Sequence, residues 1–261
     1  YGLGAAEQQC CLPAIGRALV TDPKLGLATY NMGVVDENNH VNFYDGMIRV
    51  TAPDGSEHAK YHARDYQDYV AEHVENWSYL KFPYLKAKGW HGFEDGPDSG
   101  VYRASPLSRL NVADGMATPL AQAEYERYFE TLTGDSSGAV PVHQTLATHW
   151  ARVVEIVHAA ERTMELALDE EILSPEIRAI PTETPTEGIG SVEAPRGTLT
   201  HHYVTDERLL FTGQEQQWTQ RCGAGVDQLV PRQVHDAVEH GSVLARRQQR
   251  RQTLVQLLQK T

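Results

Sequence analysis

The chain has only three cysteines, Cys10, Cys11 and Cys222, in 261 residues. That is too few, and too unevenly spaced, for a disulfide framework or a tetrahedral thiolate site. Adjacent thiols such as Cys10 and Cys11 rarely share one metal, so no metal ligand is assigned, and scarce cysteine suits a reducing, cytoplasmic setting. Long apolar runs are missing as well. No stretch approaches the roughly 20 residues of a membrane helix, so no membrane span is expected, and Tyr1 opens no recognisable signal peptide. Basic charge is short, with 23 Lys+Arg against 35 Asp+Glu and a net charge of -12. Binding nucleic acid through its phosphates needs a clustered basic face, so no nucleic-acid partner is expected. What is present, 41% hydrophobic and 22% charged residues at a mean hydropathy of -0.46, is the composition of a globular chain able to bury a core.

Charge and glutamine divide the chain near residue 208. Residues 1–208 hold 16 Lys+Arg, 31 Asp+Glu and 5 glutamines, whereas 209–261 hold 7, 4 and 11. We therefore expect one domain over 1–208 and an atypical tail over 209–261, as a shifted reading frame would produce. Within the tail, Arg246, Arg247, Arg250 and Arg251 form a basic patch whose ordinary reading is a solvated helix face.

Strand and helix signals are mixed. Gly33-Val34-Val35, Val41-Asn42-Phe43-Tyr44 and Met47-Ile48-Arg49-Val50 read as short strands, and Asp45-Gly46 signals a tight turn requiring positive φ. A three-stranded antiparallel meander is expected there. Tyr66, Tyr69, Val70 and His73 recur at helical spacing ahead of Pro83, and Gly89 to Gly100 reads as a loop. Thr118-Pro119 marks a helix start and Gly134 its end. The longest helix is expected from about His143 to Leu168, with Leu146, Trp150, Val153, Val157, Ala160 and Met164 facing the core. Pro175 ends a short helix after it, and residues 181–188 read as a loop. The fold class that follows is α+β, a mainly helical body with a small antiparallel β meander.

The chemistry concentrates in Gly190-Ser191-Val192-Glu193-Ala194-Pro195-Arg196-Gly197-Thr198-Leu199-Thr200-His201-His202-Tyr203. Pro195 fixes the backbone before Arg196 and Gly197 frees it afterwards, so the guanidinium is presented from a rigid, non-helical turn. Taken alone, Arg196 would be a surface arginine. Adjacent histidines on a strand point to opposite faces, and His201 is expected to be the inward one, beside the arginine loop.

This stretch resembles the Glu-Ala-Pro-Arg-Gly motif of nickel-iron hydrogenase large subunits. The similarity extends to Gly100 through Val112, which looks like the family's Gly-Pro-Leu-Ala-Arg region with Ser105 and Ser108 in place of glycine and alanine. It also covers Asn31 through Arg49, Ala113 through Leu120, and Thr148 through Arg152. Together these segments look most like the cytoplasmic methyl-viologen-reducing type, which does not use a deazaflavin and partners heterodisulfide reductase. NAD-linked and sulfhydrogenase types are close relatives.

The resemblance implies reversible oxidation of dihydrogen at a nickel-iron centre carrying CO and cyanide ligands, with electrons passed to an iron-sulfur small subunit. It implies that Arg196 is the catalytic arginine over the metals, whose planar, permanent charge suits that place, and that Glu193, Pro195 and His201 lie just behind the centre. Whether Arg196 stabilises charge or accepts a proton stays open. Arg103 and Arg109 are expected to be ordinary ion-pairing residues.

The family holds its metals on two Cys-x-x-Cys pairs, and this chain has neither. Soft thiolates bridge nickel to iron, and oxygen or imidazole donors do not replace them. The chain is thus expected to be a fragment, inactive alone. The alternative is a non-catalytic or degenerate homologue that at most binds the small subunit or a maturation factor. An unrelated α+β enzyme built on Glu193, Arg196 and His201 is the third reading.

Overall fold

The computed structural model describes residues 20–178, 186–205 and 211–218. The described residues fall into two units, one of 20–165, 186–205 and 211–218, the other of 166–178. In the second unit the chain leaves its long helix for a single 3-10 turn, Glu170–Leu173. Asp169 caps that turn by accepting the Glu171 N–H at 2.9 Å, and Pro175 follows it as expected.

The first unit is built around a four-stranded sheet of β1 (Tyr30–Val35), β2 (Met47–Thr51), β3 (Glu57–His62) and β6 (Tyr102–Arg103), in the order β3-β2-β1-β6. β1 pairs antiparallel with β2, and β2 with β3, while β6 joins β1 in parallel. All six residues of β1 are buried, as a central strand covered on both faces should be. Side chains alternate across it. Tyr30, Met32 and Val34 enter a cluster with Ile48, Val50, Tyr61, Tyr66 and Leu85, whereas Val35 enters another with Leu107, Leu110, Tyr125, Phe129 and Val154.

The expected meander is present with different strands. Residues 41–44 form only isolated bridges, Val41 to Val35 and Tyr44 to Val192, because this segment crosses from β1 to a later hairpin. The meander's second turn falls at Asp54-Gly55, where the Ala52 N–H donates to Ser56 O at 2.8 Å. Asp45 does take the positive φ read from its sequence, at 52°. Helical spacing at Tyr66 to His73 yields one helical turn only, α1 (Tyr66–Tyr69). The chain then extends into β4 (Val70–Val74), paired with β5 (Lys81–Leu85). Pro83 sits inside β5 opposite Glu72, tolerated because a two-stranded hairpin leaves it an edge.

Three helices follow. α2 (Pro106–Val112) is buried at every position. Its Ser108 donates its hydroxyl to Ser105 O at 2.7 Å and accepts the Ser105 N–H at 2.5 Å. A polar atom is thus tolerated in the core. α3 (Pro119–Thr133) begins after Thr118 and stops at Gly134, φ 79°, as its sequence signals require. The carboxylate of Glu161, on the next helix, accepts the first amides of α3, from Leu120 and Ala121, both at 3.0 Å. α4 (Thr148–Ala167) is shorter than expected, and of its expected inward residues Trp150 and Val157 pack against the core. Its buried positions are Ala151, Val154, Glu155 and His158, while Val153 and Met164 are exposed.

The last sheet is β7 (Glu187–Ala194), β8 (Gly197–Thr205) and β9 (Phe211–Trp218), antiparallel in that order. β9 lies beyond the compositional break near residue 208. Strand is nearly as abundant as helix, so the class is α+β as expected and the body is less helical than its sequence suggested. Residues 181–185 of the expected loop, and the basic arginines from Arg246 to Arg251, lie outside the described residues.

Candidate functional site

β7 and β8 meet in a two-residue hairpin, Ala194 opposite Gly197, with Pro195 and Arg196 at the tip. Both tip residues are exposed, and Arg196 has no hydrogen-bond or ion-pair partner among the described residues. Neither takes a positive φ. Gly197 is needed for a reason other than backbone freedom. A Cβ there would stand 2.2 Å from the carbonyl oxygen of Ala104, so only glycine lets the hairpin press against the chain leading into α2.

Below the tip lies a buried ion cluster. Arg109 on α2 is 2% exposed. It grips Glu155 of α4 with two bonds, Nε to Oε1 at 2.5 Å and Nη2 to Oε2 at 2.9 Å. Its Nη1 donates to Glu193 Oε2 at 2.9 Å and to Ala194 O at 3.1 Å. The other oxygen of Glu193 accepts the Val34 N–H at 2.8 Å and the Thr198 hydroxyl at 2.9 Å. β6 pairs with β1 only at Tyr30 and Asn31, so the Val34 amide on that edge needs another acceptor. Glu193 supplies it. Burial pushes the Glu193 carboxyl above its ordinary value, against the pull of Arg109, Thr198 and the Val34 amide. Burial also works against the Arg109 cation, but Glu155 and Glu193 outweigh it and its pKa rises. The main chain locks the hairpin too, since the Glu193 N–H donates to Phe43 O at 2.7 Å, with the Phe43 ring 5.9 Å from the Arg109 guanidinium carbon.

The four residues singled out by sequence therefore do not converge. Glu193 is buried beneath the hairpin, Pro195 and Arg196 form its tip, and His201 lies on the other face of β8. The inward histidine is His202, a correction to the expectation, because Thr198, Thr200 and His202 alternate onto the buried side. His202 Nδ1 lies 3.0 Å from the Tyr66 hydroxyl and its Nε2 2.8 Å from Glu187 Oε1. His201 is half-buried, with Nδ1 2.5 Å from the Tyr203 hydroxyl, and burial lowers its pKa. Arg109 does ion-pair, as expected, but in the core. Glu155 was missed. Its signal was available, a carboxylate four residues after Ala151 and three before His158, at the spacing of one helix face.

All three cysteines lie outside the described residues. Among the described residues no group of three or more His, Cys, Asp or Glu side chains is arranged to hold a metal, and no helix is long and apolar enough to cross a membrane. This donor set does not fit a thiolate-bound nickel-iron centre. The described residues supply an exposed, firmly anchored arginine and not the ligands.

No family model matches the chain. Curated relatives do. An F420-non-reducing hydrogenase iron-sulfur subunit from Archaeoglobus profundus is 44% identical over 194 residues, covering 74% of this chain and 39% of that protein. The NAD-reducing hydrogenase HoxS beta subunit of Cupriavidus necator is 40% identical over 180 residues, covering 68% of this chain and 34% of that one. A crystal structure of an NAD+-reducing nickel-iron hydrogenase in the hydrogen-reduced state superposes with a TM-score of 0.67 at 32% identity, over 81% of this chain and 45% of that chain. The chain belongs to the nickel-iron hydrogenase large-subunit family. It spans about two fifths of the length of such relatives, and this hydrogenase portion contains both the arginine hairpin and the buried cluster beneath it.

Proposed function

We propose that this chain is the portion of a nickel-iron hydrogenase large subunit that presents Arg196 to the metal centre during reversible oxidation of dihydrogen. The observation that carries the reading is the placement of Arg196, exposed and unpaired among the described residues, on a hairpin whose base is fixed by a buried ion cluster. A permanent, planar cation held in advance lowers the cost of charge developing beside it, because nothing has to reorganise when that charge appears. Its role is electrostatic stabilisation or proton acceptance at the guanidinium. In this reading Glu193 and Pro195 fix the hairpin that carries Arg196, and His201 belongs to the same hairpin without facing the cluster.

The partner is an iron-sulfur small subunit, and the setting is cytoplasmic. Similarity to F420-non-reducing relatives supports a methyl-viologen-reducing type that works with a heterodisulfide reductase complex. The hydrogenase portion is assigned to residues 1–208 and a distinct segment to 209–261, a boundary that rests on charge and glutamine content. The second reading is a non-catalytic homologue that at most binds the small subunit or a maturation factor.

Substitution of residues 30–205 for the matching stretch of the complete Archaeoglobus profundus protein separates the two. Hydrogen-dependent methyl-viologen reduction near the parent rate supports the catalytic reading. A chimaera that assembles with nickel but reduces no dye supports the second.

A further inference from the structure

The tip that carries Arg196 is an unfavourable hairpin turn. Two-residue hairpins prefer turns with positive φ, whose twist matches that of the flanking strands. Pro195 holds φ near -65°, and neither tip residue takes a positive φ. A turn of this kind splays its strands unless something else holds them together. The neighbours of the tip do so from both sides. On β7, Arg109 Nη1 donates to Ala194 O, two residues before Arg196, at 3.1 Å. On β8, Thr198, two residues after Arg196, donates to Glu193 Oε1 at 2.9 Å, and these two residues are direct partners in the strand register. The same Glu193 carboxylate takes Arg109 on its other oxygen at 2.9 Å. Arg109 is itself held by Glu155 on α4.

We propose that Arg109 is a positioning residue for Arg196, acting through a Glu193–Thr198 clamp that closes the two strands of the hairpin beneath its tip. This rests on the reading of Arg196 as the catalytic arginine. Arg109 does not touch the reacting atoms. It sets the height and direction of the tip by fixing Ala194 O and by holding Glu193 where Thr198 can reach it. A fork is required, since one guanidinium must serve Glu155, Glu193 and a carbonyl at once, and a lysine ammonium cannot span all three.

The test uses the complete hydrogenase carrying this segment, with Arg109→Lys and Thr198→Val made singly and each combined with Arg196→Lys. Nickel content, kcat and KM for hydrogen are measured. Each single variant should keep its nickel and lose about 10-fold to 10²-fold in kcat, the scale of a tip displaced by about 1 Å, with KM changed by less than about twofold. In the Arg196→Lys background neither should lower kcat further, because the group being positioned is already gone. Unchanged kcat in the single variants, or losses that multiply in the doubles as independent sites do, would overturn the proposal while leaving the role of Arg196 intact. If Arg109→Lys fails to assemble, Thr198→Val decides alone. If Arg196→Lys itself keeps more than about half its turnover, the reading of Arg196 fails, and any loss in Thr198→Val then marks the clamp as structural only.

Discussion

Arg109 shows how one side chain can join parts of the sequence that look unrelated. Its partners come from β7 and α4, 84 and 46 residues away. Glu193 and Glu155 are nearly inaccessible, at 0% and 7% of side-chain exposure. Taking such charges out of water is costly, so the cluster by itself is weak evidence of stability, but removing one member leaves the others buried and unpaired. Arg109→Ala should therefore destabilise the chain by about 3 to 5 kcal/mol, read as a lower urea midpoint, because two carboxylates then face each other without a cation. Arg127→Ala, which removes an exposed surface pair with Glu124 at 2.9 Å, should cost far less. Equal losses would show that the cluster has no special weight. The sequence alone predicts ordinary ion pairs at Arg103 and Arg109 alike. It could not tell them apart, because burial of Arg109 depends on Glu155, which reaches it only through the packing of α2 against α4.

At the scale of elements, α4 is where the sequence was read least well. Its existence and its end near Leu168 follow from periodicity, although it starts at Thr148 rather than His143. The face it buries follows only in part, since Leu146, Trp150 and Val157 do pack against the core but Val153 and Met164 are exposed, and the fully buried stripe is a second one, Ala151, Val154, Glu155 and His158. The fold buries the second stripe because its polar members have partners. Glu155 meets Arg109, and His158 Nδ1 lies 3.0 Å from the Thr118 hydroxyl, with the Phe43 ring 5.7 Å away. Burial lowers the His158 pKa, assisted by the charge of Arg162 and opposed by Glu161, Glu165 and Glu155. The unfolded chain therefore binds a proton near the ordinary value of about 6.5 that the folded chain refuses. Stability from this group is full above that pH and is lost as pH falls from about 6.5 towards the folded value. Urea midpoints should drop over that range in the parent chain, and His158→Gln should flatten part of the drop. An unchanged slope would mean that His158 titrates as it does when unfolded. The turn chemistry was easier to read, because Asp45, Gly134 and the Thr118-Pro119 start are fixed by local φ and by proline geometry rather than by packing.

For the molecule as a whole, the sequence revealed the family and the arginine loop, yet it obscured how the two sheets meet. The antiparallel meander was visible as β-branched runs. The parallel pairing of β6 with β1, and the use of residues 41–44 as a bridge to β7, depend on contacts across more than 70 positions that no local pattern encodes. Those contacts bring Gly197 against Ala104 and Glu193 against Val34, so the architecture serves to hold one hairpin. Presentation of the Arg196 guanidinium by this hairpin is the proposal on which the rest depends. It is tested most directly by Arg196→Lys in the complete hydrogenase carrying this segment, comparing nickel content with the rate of hydrogen-dependent dye reduction. Lysine keeps the charge and loses the fork. Full metal content is expected, with turnover lowered by about 10² to 10³-fold, the usual effect of removing one preorganised donor. Full metal content with more than about half the parent rate, as for an ordinary surface arginine, would contradict it.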